Sequence, residues 1–439
     1  MSRTVVVGAG LSGLVRGWTL ARRGEEVQVL EASAQPGGVV KSEWREGYLI
    51  ERGPNTVRPS PELWRVVRDL GLEARALFAD ARLPRYVDFG GRLQKLPMSP
   101  AALVSTRLLS PAGKLRLLSE PFRPRGGQPG ETVARFASRR LGPEVAERFV
   151  APFVSGIWAG DAERLVAEHA FPALVRWERS RGSILRGALS ERRPKGAEAA
   201  RPPRGLLSFQ DGLAELPGAL ARELAGRLRT VAAVRAIEKS GGGFRVFSDA
   251  EVLEADRVVI ATPAYEAARL TRGLSSEAAA ALETIPCPPL AVLHLSWPAA
   301  SSRLDLRGFG HLVAPGSGRR ILGAVWSSSL FPGRAPAERA LFTIFLGGSR
   351  DPEAAALTDA ELVSAARRDL EQELGVRGLP QVIAVTRWPR GIPQYEAGHG
   401  ERLAAVERAE RQHPGLSFLG NYRAGVSVTD VVRNAAATP

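Results

Sequence analysis

The chain has 439 residues, 44% hydrophobic and 24% charged, which is ordinary for a folded protein that is long enough to need two or three domains. A single cysteine, Cys287, excludes an internal disulfide, and five scattered histidines offer no metal-ligand spacing, so we expect no bound metal. The net charge of +14 fits nucleic acid, an anionic membrane surface or an acidic small molecule as partner, although an arginine-rich composition from a GC-rich genome explains it equally well.

Known sequence signals narrow these alternatives. No zinc finger, helix-turn-helix or RNA-binding aromatic motif accompanies the positive charge, so the sequence favours no nucleic-acid partner. The first residues run directly into a strand pattern without the features of a secretory leader, and no stretch approaches 18 apolar residues. We therefore expect a protein inside the cell without a transmembrane helix.

The N-terminal residues predict a dinucleotide-binding βαβ unit. A β-branched run at residues 4–7 precedes a glycine-rich turn and an apolar helix pattern, and a second strand at residues 27–30 ends at Glu31. Glycines in this turn allow a tight bend, close approach of a pyrophosphate and close packing of the helix on the strand. The pyrophosphate lies at the positive end of the helix, and Glu31 can accept hydrogen bonds from the ribose hydroxyls. The turn comprises Gly8, Ala9, Gly10, Leu11, Ser12 and Gly13.

The residues after this unit favour FAD over NAD. Gly37 and Gly38 follow Glu31 at the distance found in flavoproteins, whose extended motif lays FAD out along the fold. Val39 and Val40 stand where amine oxidases usually have an arginine after the paired glycines, which is a departure from that pattern.

Two later stretches are predicted to return to the nucleotide-binding sheet. The first contains strand-like runs at residues 228–237, which include Val234, and at 244–247 and 255–263. The second is a strand at residues 416–419, followed by a glycine-containing turn and a helix start whose backbone amides can face a flavin. We therefore predict a discontinuous FAD-binding domain from residues 1–75, 206–270 and 401–439.

Two insertions separate these pieces. Residues 87–205 are mostly helical in pattern, with a basic, leucine-rich segment at 103–122 that fits either a membrane interface or a helix pair packed on its own domain. An exposed, mobile loop is predicted at residues 187–205. Residues 271–400 alternate strand-like runs with one helix at 359–374, and with residues 76–86 they predict a substrate-binding domain. The expected fold class is α/β plus α+β: a discontinuous Rossmann-like FAD-binding domain, an antiparallel-sheet substrate domain and a helical, membrane-associating domain.

Five segments make the chain resemble, over nearly its whole length, the FAD-dependent, oxygen-using protoporphyrinogen oxidase family. The first and last are shared with amine oxidases and phytoene desaturases, whereas those at Phe153 and Trp388 are more specific to porphyrinogen oxidation. The segments are G-A-G-L-S-G at Gly8, E-R-G-P-N-T at Glu51, F-V-S-G-I-W-A-G-D at Phe153, W-P-R-G-I-P-Q-Y-E-A-G-H at Trp388 and G-N-Y-R-A-G-V-S-V-T-D at Gly420.

The resemblance implies roles for individual residues. Arg85 matches an arginine that pairs with a substrate propionate, and Gly156 matches a glycine whose carbonyl lies near the reacting methylene. Four apolar positions match those that enclose the tetrapyrrole: Phe309, Leu312, Val325 and Phe345. Besides the turn glycines and the pair at 37–38, the FAD contacts implied are Glu31, Ala32, Val39, Gly53, Pro54, Asn55, Thr56, Val234, Asn421, Val426, Ser427 and Val428. His311 and His399 are expected to be structural, and Trp388 and Tyr395 to fix the domain junction.

The activity implied is the six-electron oxidation of protoporphyrinogen IX to protoporphyrin IX, with dioxygen as acceptor and hydrogen peroxide released, in heme biosynthesis. The location implied is cytoplasmic, peripheral on the inner face of the cell membrane. Coproporphyrinogen III is the nearest alternative substrate, because the same fold and chemistry serve it. An amine oxidase, a carotenoid desaturase and a non-catalytic FAD-bound interaction protein stay open as more distant alternatives. The oligomeric state is also open, a homodimer being one alternative.

Overall fold

The structure is a computed structural model that describes residues 2–190, 202–302 and 305–437. Its strands, in chain order, are β1 Arg3–Val7, β2 Glu26–Leu30, β3 Ser42–Arg45, β4 Tyr48–Glu51, β5 Ala76–Phe78, β6 Arg85–Phe89, β7 Arg92–Lys95, β8 Leu207–Phe209, β9 Leu228–Arg229, β10 Val234–Ser240, β11 Gly243–Ser248, β12 Val252–Ala255, β13 Arg257–Ile260, β14 Leu290–Pro298, β15 Gly310–Val313, β16 Ile321–Val325, β17 Arg339–Gly347, β18 Gln381–Trp388 and β19 Leu416–Phe418.

The helices vary in length from single turns to sixteen residues. In chain order they are α1 Leu11–Arg22, α2 Pro61–Asp69, α3 Pro100–Ser105, α4 Pro111–Leu118, α5 Val133–Leu141, α6 Pro143–Val145, α7 Ala151–Trp158, α8 Ala167–Ala170, α9 Pro172–Arg181, α10 Ile184–Ser190, α11 Glu215–Glu223, α12 Ala264–Thr271, α13 Ser276–Glu283, α14 Ser327–Leu330, α15 Asp359–Leu374, α16 His399–Gln412 and α17 Val428–Ala437. A π-helical turn, Ala146–Val150, joins α6 to α7.

A parallel sheet gathers strands from distant parts of the chain. Its order is β19-β13-β1-β2-β9, and every neighbouring pair is parallel. Val5 and Val6 point to opposite faces of β1 and both are fully buried, as expected when a parallel sheet is covered on both sides. Helices α1, α11 and α17 cover one face, and α12 with the small antiparallel sheet β10-β11-β12 covers the other.

One predicted strand is wrong. Residues 228–237 do not form one run, because β9 pairs with β2 in the parallel sheet while β10 pairs with β11 in the small sheet. Val231 separates them with φ +54°, a conformation that a β-branched residue rarely adopts and that no extended strand can contain. The run predicted at 244–247 lies within a residue of β11, and β13 lies inside the run predicted at 255–263, which is longer by two residues at its start and three at its end.

The second large sheet is mostly antiparallel and has seven strands in the order β18-β14-β17-β16-β15-β6-β7. The single parallel pair, β6 with β15, places Arg85 opposite Gly310. Helix α15, predicted at its observed bounds, begins at a capping box formed by Thr358 and Glu361 and packs on one face of this sheet. Strand β6 contains residue 87, where the helical insertion was expected to begin. The division of the chain into three domains stays a prediction.

The described part of residues 96–190 is helical, and a buried ion pair holds it together. Arg140 and Glu120 are both fully buried, and the guanidinium also donates to the carbonyl of Gly182 at 2.8 Å. The leucine-rich basic segment forms α3, α4 and a short 3-10 turn, Glu120–Phe122. Residues 187–190 are helical, contrary to the loop predicted there, and 191–201 lie outside the described residues. Within the described ranges, no helix is long and apolar enough to cross a membrane.

Candidate functional site

The glycine turn after β1 has the shape that a pyrophosphate requires. Gly8 has φ +98°, and a β-carbon on Gly13 would stand 1.9 Å from the carbonyl oxygen of Gly8, so α1 begins pressed against the turn. A β-carbon on Gly10 would meet nothing within 4 Å, which leaves the approach to the helix start open. Gly10 caps α1 without a side-chain hydrogen bond, so the first amides of the helix, at Leu11 and Ser12, are available to an anion.

Glu31 closes one side of this turn. One of its carboxylate oxygens accepts a hydrogen bond from the amide of Ala9 at 2.7 Å. The other accepts from the amide and the hydroxyl of Ser33, at 2.9 and 2.7 Å. Both oxygens therefore stand at the end of β2, beside the turn, where they can accept from ribose hydroxyls. Ala32 follows and is exposed.

The paired glycines pass directly in front of the turn. The amide of Gly37 donates to the carbonyl of Ala9 at 2.8 Å, and a β-carbon on Gly38 would lie 3.1 Å from the Cα of Gly10. Gly53 packs closely against the residue after this pair, since a β-carbon on Gly53 would stand 2.0 Å from the carbonyl oxygen of Val39. Val39 itself is 52% exposed on the open side. Pro54, Asn55 and Thr56 continue this half-buried loop, and the Asn55 amide donates to the carbonyl of Gly53 at 3.1 Å.

The structure brings the predicted C-terminal contacts to the same end of the parallel sheet. Strand β19 pairs with β13, and α17, which begins at Val428, packs against α1. The hydroxyl of Ser427 accepts from the amide of Asp430 at 3.1 Å and caps this helix start. Asn421 and Val426 lie in the preceding turn, and the carbonyl of Asn421 accepts a hydrogen bond from the hydroxyl of Tyr395.

Val234 is placed differently from the other predicted contacts. It is 5% exposed, its side chain packs in the core beneath β2, and its carbonyl accepts from Arg269 at 2.8 Å. The nearby amide of Ala232 donates to the carbonyl of Glu31 at 2.8 Å. Val234 therefore stands beside the end of β2. Its side chain is in the core, so only its backbone can approach the ribose that Glu31 is predicted to bind.

The residues predicted to enclose a substrate share one face of the seven-stranded sheet. Across neighbouring strands, Gly310 lies opposite both Arg85 and Val325, and in the next row Gly323 lies opposite both Leu312 and Phe345. Because directly paired residues point to the same side of a sheet, Arg85, Leu312, Val325 and Phe345 face the same way. Helix α15 covers the opposite face, where Ala324 and Ile344 are buried.

Arg85 is held on this face by an aromatic ring instead of a carboxylate. Its guanidinium carbon lies 4.9 Å from the centroid of the Phe309 ring, a cation–π contact. Burial lowers the pKa of Arg85, and the nearby charge of Arg58 lowers it further. Among the described residues, no carboxylate makes an ion pair with Arg85, so its positive charge is available to an anionic ligand.

Helix α7 packs over the same face of the sheet. A β-carbon on Gly156 would stand 2.2 Å from Cδ2 of Leu312, so only glycine fits between the helix and this strand without a shift. Phe153 and Ile157, three residues before and one residue after Gly156, are 43% and 46% exposed. The contact of Gly156 with Leu312 therefore lies at the border of an open cleft.

A buried polar cluster joins the glycine loop to the sheet, and the sequence reasoning missed it. The carboxylate of Glu51 accepts from the Ser42 hydroxyl at 2.6 Å and the Leu213 amide at 2.9 Å, and it lies 3.3 Å from the Arg334 guanidinium. Burial raises the pKa of Glu51 to about 7, although Arg334 and these hydrogen bonds act in the opposite direction. The two residues line a small cavity that reaches Asn55 and Val325. Glu51 stands in the motif E-R-G-P-N-T already singled out, but nothing in that motif indicated that it meets Arg334.

Two histidines expected to be structural have no metal-binding surroundings. His311 accepts from the indole N–H of Trp326 at 3.1 Å and lies 2.8 Å from the carboxylate of Glu373, behind the substrate face. His399 stacks on Tyr395. Within the described ranges, no three His, Cys, Asp or Glu side chains come together as ligands for a metal ion.

Comparison with known proteins identifies the family. The sequence pattern of the flavin-containing amine oxidoreductases matches residues 11–438. The chain belongs to this family. It is an oxidoreductase whose cofactor is FAD, and the glycine turn, the free helix start and the Glu31 carboxylate fit that cofactor.

Relatives within this family match nearly the whole chain. A chloroplastic protoporphyrinogen oxidase from Oryza sativa subsp. japonica is 37% identical, over 98% of this chain and 86% of the relative. A protoporphyrinogen oxidase from Bos taurus is 33% identical, over 100% of this chain and 98% of the relative. A coproporphyrinogen III oxidase from Bacillus subtilis (strain 168) is 28% identical, over 98% and 95%. The predicted family resemblance is therefore confirmed.

Solved structures share the fold. A protein from Exiguobacterium sp. 255-15, provisionally described as a protoporphyrinogen oxidase, superposes with a TM-score of 0.81 at 23% identity, covering 99% of this chain and 97% of the other. Reduced UDP-galactopyranose mutase superposes with a TM-score of 0.75 at 16% identity, covering 99% and 94%. The predicted combination of parallel and antiparallel sheets in a mixed α/β fold is thus confirmed.

Proposed function

We propose that the protein oxidises protoporphyrinogen IX to protoporphyrin IX, with dioxygen as the final acceptor and hydrogen peroxide as the by-product. The observation that carries this proposal is the near full-length similarity to relatives named protoporphyrinogen oxidase, at up to 37% identity. The cation and apolar side chains on one face of the seven-stranded sheet support it.

The chemistry consists of repeated two-electron steps. FAD supplies the hydride acceptor and passes the electrons to dioxygen. In each step a methylene bridge of the substrate loses hydride, the resulting cation is stabilised by the flanking pyrroles, and a pyrrole N–H releases a proton. Three such steps remove six electrons, and transfer of one proton from the remaining methylene bridge to a pyrrole nitrogen gives the aromatic macrocycle. The chain therefore needs to bind, orient and shield the ring.

Arg85 binds a propionate of the substrate. Its guanidinium is half-buried and presents a planar set of donors that matches a carboxylate. The Phe309 ring beneath it restricts the orientation of the guanidinium. A charge-assisted hydrogen bond of this kind is stronger where water is partly excluded, so one propionate fixes the register of the macrocycle over the sheet.

The apolar side chains and Gly156 enclose the macrocycle. Leu312, Val325 and Phe345 present a partly buried apolar face to one side of the ring. Gly156 lies where α7 meets this face, and its lack of a side chain lets the helix approach Leu312 closely at the edge of the proposed ring site. Asn55, in the loop after Gly53, lines a small cavity together with Val325.

Coproporphyrinogen III is the second candidate substrate, because the B. subtilis relative named for that oxidation matches 98% of this chain. This substrate carries four propionates and the proposed one carries two. Arg58 lies close enough to Arg85 to lower its pKa, and we take this pair of cations to favour the dicarboxylate.

A direct comparison of the two porphyrinogens tests the proposal. Purified FAD-loaded protein is mixed with each substrate under air, and porphyrin fluorescence and peroxide are followed together. We expect a higher kcat/KM for protoporphyrinogen IX and three peroxides for each porphyrin formed. A higher kcat/KM for coproporphyrinogen III would make that compound the substrate instead. If the protein oxidises neither porphyrinogen, the proposed activity is rejected.

The helical segment is the proposed contact with a membrane surface. Four apolar side chains in α3, α4 and the 3-10 turn are 71%, 70%, 62% and 82% exposed: Val104, Leu115, Leu118 and Phe122. Lys114 and Arg116 lie in α4, and Arg107 lies in the bend between α3 and α4. An exposed apolar set bordered by cations is suited to an anionic lipid interface. We expect the protein to bind peripherally to the inner face of the cell membrane.

A further inference from the structure

The residues after β18 contact both α7, beside the predicted substrate face, and the turn before α17, beside the predicted FAD site. This stretch, residues 392–399, leaves the seven-stranded sheet, passes α7 and ends at the first residue of α16. Gln394 is fully buried, and its side-chain amide donates to the carbonyl of Trp158, the last residue of α7, at 2.9 Å. The backbone amide of Gln394 donates to the carbonyl of Pro286 at 2.8 Å. Gln394 thus joins the C-terminal end of the helix that contains Gly156 to the base of the sheet.

Tyr395 reaches from the same stretch to the turn before α17. Its side chain is 1% exposed, and its ring meets that of Trp158 edge to face, with centroids 4.9 Å apart. The hydroxyl donates to the carbonyl of Asn421 and accepts from the amide of Gly425 at 3.0 Å. One buried hydroxyl therefore joins the two ends of the turn formed by residues 421–425, in which Gly425 has φ +109°.

His399 holds the Tyr395 ring from its other side. The two rings are stacked with centroids 4.1 Å apart and an angle of 13°, and His399 is 1% exposed. Burial lowers the pKa of His399 to about 3, with His169 and Arg402 nearby adding to the effect. The stacked ring is therefore neutral at ordinary pH, and it packs against Tyr395 without a competing charge.

We propose that residues 392–399 form a brace that sets the spacing between α7 and the 421–425 turn, and that Tyr395 is its positioning residue. The turn borders the FAD site and α7 borders the sheet face, so the brace controls how FAD and the reacting carbon face each other. The FAD half of this inference depends only on the cofactor, whereas the substrate half rests on the proposed function. A displacement of about 1 Å in such an arrangement can cost about 100-fold in rate.

Tyr395→Phe in the FAD-loaded protein tests the brace, because it keeps both ring contacts and removes only the bridging hydroxyl. We expect the visible flavin spectrum to shift and the dissociation constant for FAD to rise several-fold. Anaerobic reduction of the flavin by porphyrinogen should slow by about 10- to 100-fold, with little change in KM. Tyr48→Phe is the matched control: Tyr48 is 2% exposed, and its hydroxyl bonds Ser296 and Arg339 in the sheet. This control should lose comparable thermal stability without the flavin effects.

Gln394→Leu tests the contact of the brace with α7, and it also provides a test if Tyr395→Phe does not fold. It removes the hydrogen bond to Trp158 at nearly constant volume, so we expect slower flavin reduction with unchanged FAD affinity. If both variants keep the wild-type flavin spectrum, FAD affinity and reduction rate, the brace is rejected. If wild-type protein oxidises no porphyrinogen, the proposed function fails, while the spectrum and FAD affinity of Tyr395→Phe still decide the FAD half of the brace.

Discussion

The side chain of Leu312 lies directly against the backbone of Gly156, which joins α7 to the seven-stranded sheet at the border of the cleft. The residues are 156 positions apart in the chain, and the space between them is smaller than a methyl group, since a β-carbon on Gly156 would stand 2.2 Å from Leu312 Cδ2. Because contacts of this kind cannot relax without moving a helix or a side chain, the contact is a sensitive point of the candidate site.

Gly156→Ala should therefore displace Leu312 or α7 and impair turnover. We expect kcat/KM for porphyrinogen to fall at least 10-fold while the protein keeps its FAD, since the change lies away from the glycine turn. Gly218→Ala is the matched control, because its β-carbon would meet only the end of the Arg222 side chain at 3.7 Å within α11. A Gly156→Ala variant with the same kinetics as Gly218→Ala would contradict the assignment of Gly156 to the cleft.

Gly10→Val should separate folding from cofactor binding. The added side chain meets no protein atom near its β-carbon, so the apoprotein is expected to fold with nearly unchanged Tm. It would occupy the approach to the first amides of α1, where the pyrophosphate must lie. We expect purified Gly10→Val to be colourless and to show at least 100-fold weaker FAD binding by calorimetry. Normal FAD content would place the pyrophosphate elsewhere.

Arg85→Met should weaken substrate binding more than it slows the chemistry. The variant keeps an apolar stem beside Phe309 but loses the charge that is proposed to bind a propionate. We expect KM for protoporphyrinogen IX to rise by about 10- to 100-fold, as is typical for loss of a charged hydrogen bond, with kcat within a few-fold. Arg82→Met is the control, since that side chain is 91% exposed and pairs with Asp80. Equal KM values for the two variants would exclude Arg85 from the binding site.

Glu51 and His294 should give stability opposite dependences on pH. Burial raises the pKa of Glu51 from 4.5 to about 7, so between these values the folded protein holds a proton that the unfolded chain has lost, and the free energy of unfolding falls as pH rises. Burial lowers the pKa of His294 from 6.5 to about 4, so between these values the unfolded chain holds the additional proton and the free energy of unfolding rises with pH. Each shift corresponds to about 3 kcal/mol.

Melting temperatures measured from pH 4.5 to 7 separate the two effects. Relative to wild type, Glu51→Gln should gain more stability as pH rises, because the opposing contribution is gone. His294→Asn should gain less over the same range. Parallel curves for wild type and both variants would show that neither group changes its proton affinity on folding.

Membrane binding should depend on the exposed apolar side chains of the helical segment. We expect wild-type protein to float with liposomes that contain anionic lipid at low salt, and the triple variant Leu115→Ser, Leu118→Ser, Phe122→Ser to stay in solution. Leu379→Ser is the control, because Leu379 is 80% exposed near the start of β18. If the wild-type protein does not float with these liposomes, the proposed membrane location is rejected.

Local patterns predicted the N-terminal strand, turn, helix and strand, and helix α15, close to where the structure has them. The glycine turn, Glu31, the paired glycines and helix α15 depend on residues that are close in sequence, so their spacing alone indicates the structure. The division of residues 228–237 between two sheets could not be predicted, because each half has a plausible strand pattern. The break depends on the positive φ of Val231 and on partners elsewhere in the chain.

Long-range contacts in the candidate site were not predictable from one sequence. The backbone carbonyl of Glu51 contacts His294 and its carboxylate contacts Arg334, which are 243 and 283 positions away. No periodicity indicates which buried polar groups meet. His311 was expected to be structural without an identifiable partner, and the structure supplies Trp326 on one side and Glu373 on the other. Which side chains share a face of the large sheet likewise depends on strand pairing, which the sequence pattern does not specify.

The parallel sheet has a consequence for biogenesis. Its central strand and glycine turn are synthesised first, but β13 follows only at residue 257 and β19 at residue 416, and α17 packs against α1 after that. A nascent chain therefore carries the pyrophosphate turn long before it carries the residues that border the opposite side of the same cofactor. Flavin capture is expected to be a late event, and the yellow colour of the protein would report that its last strand has docked.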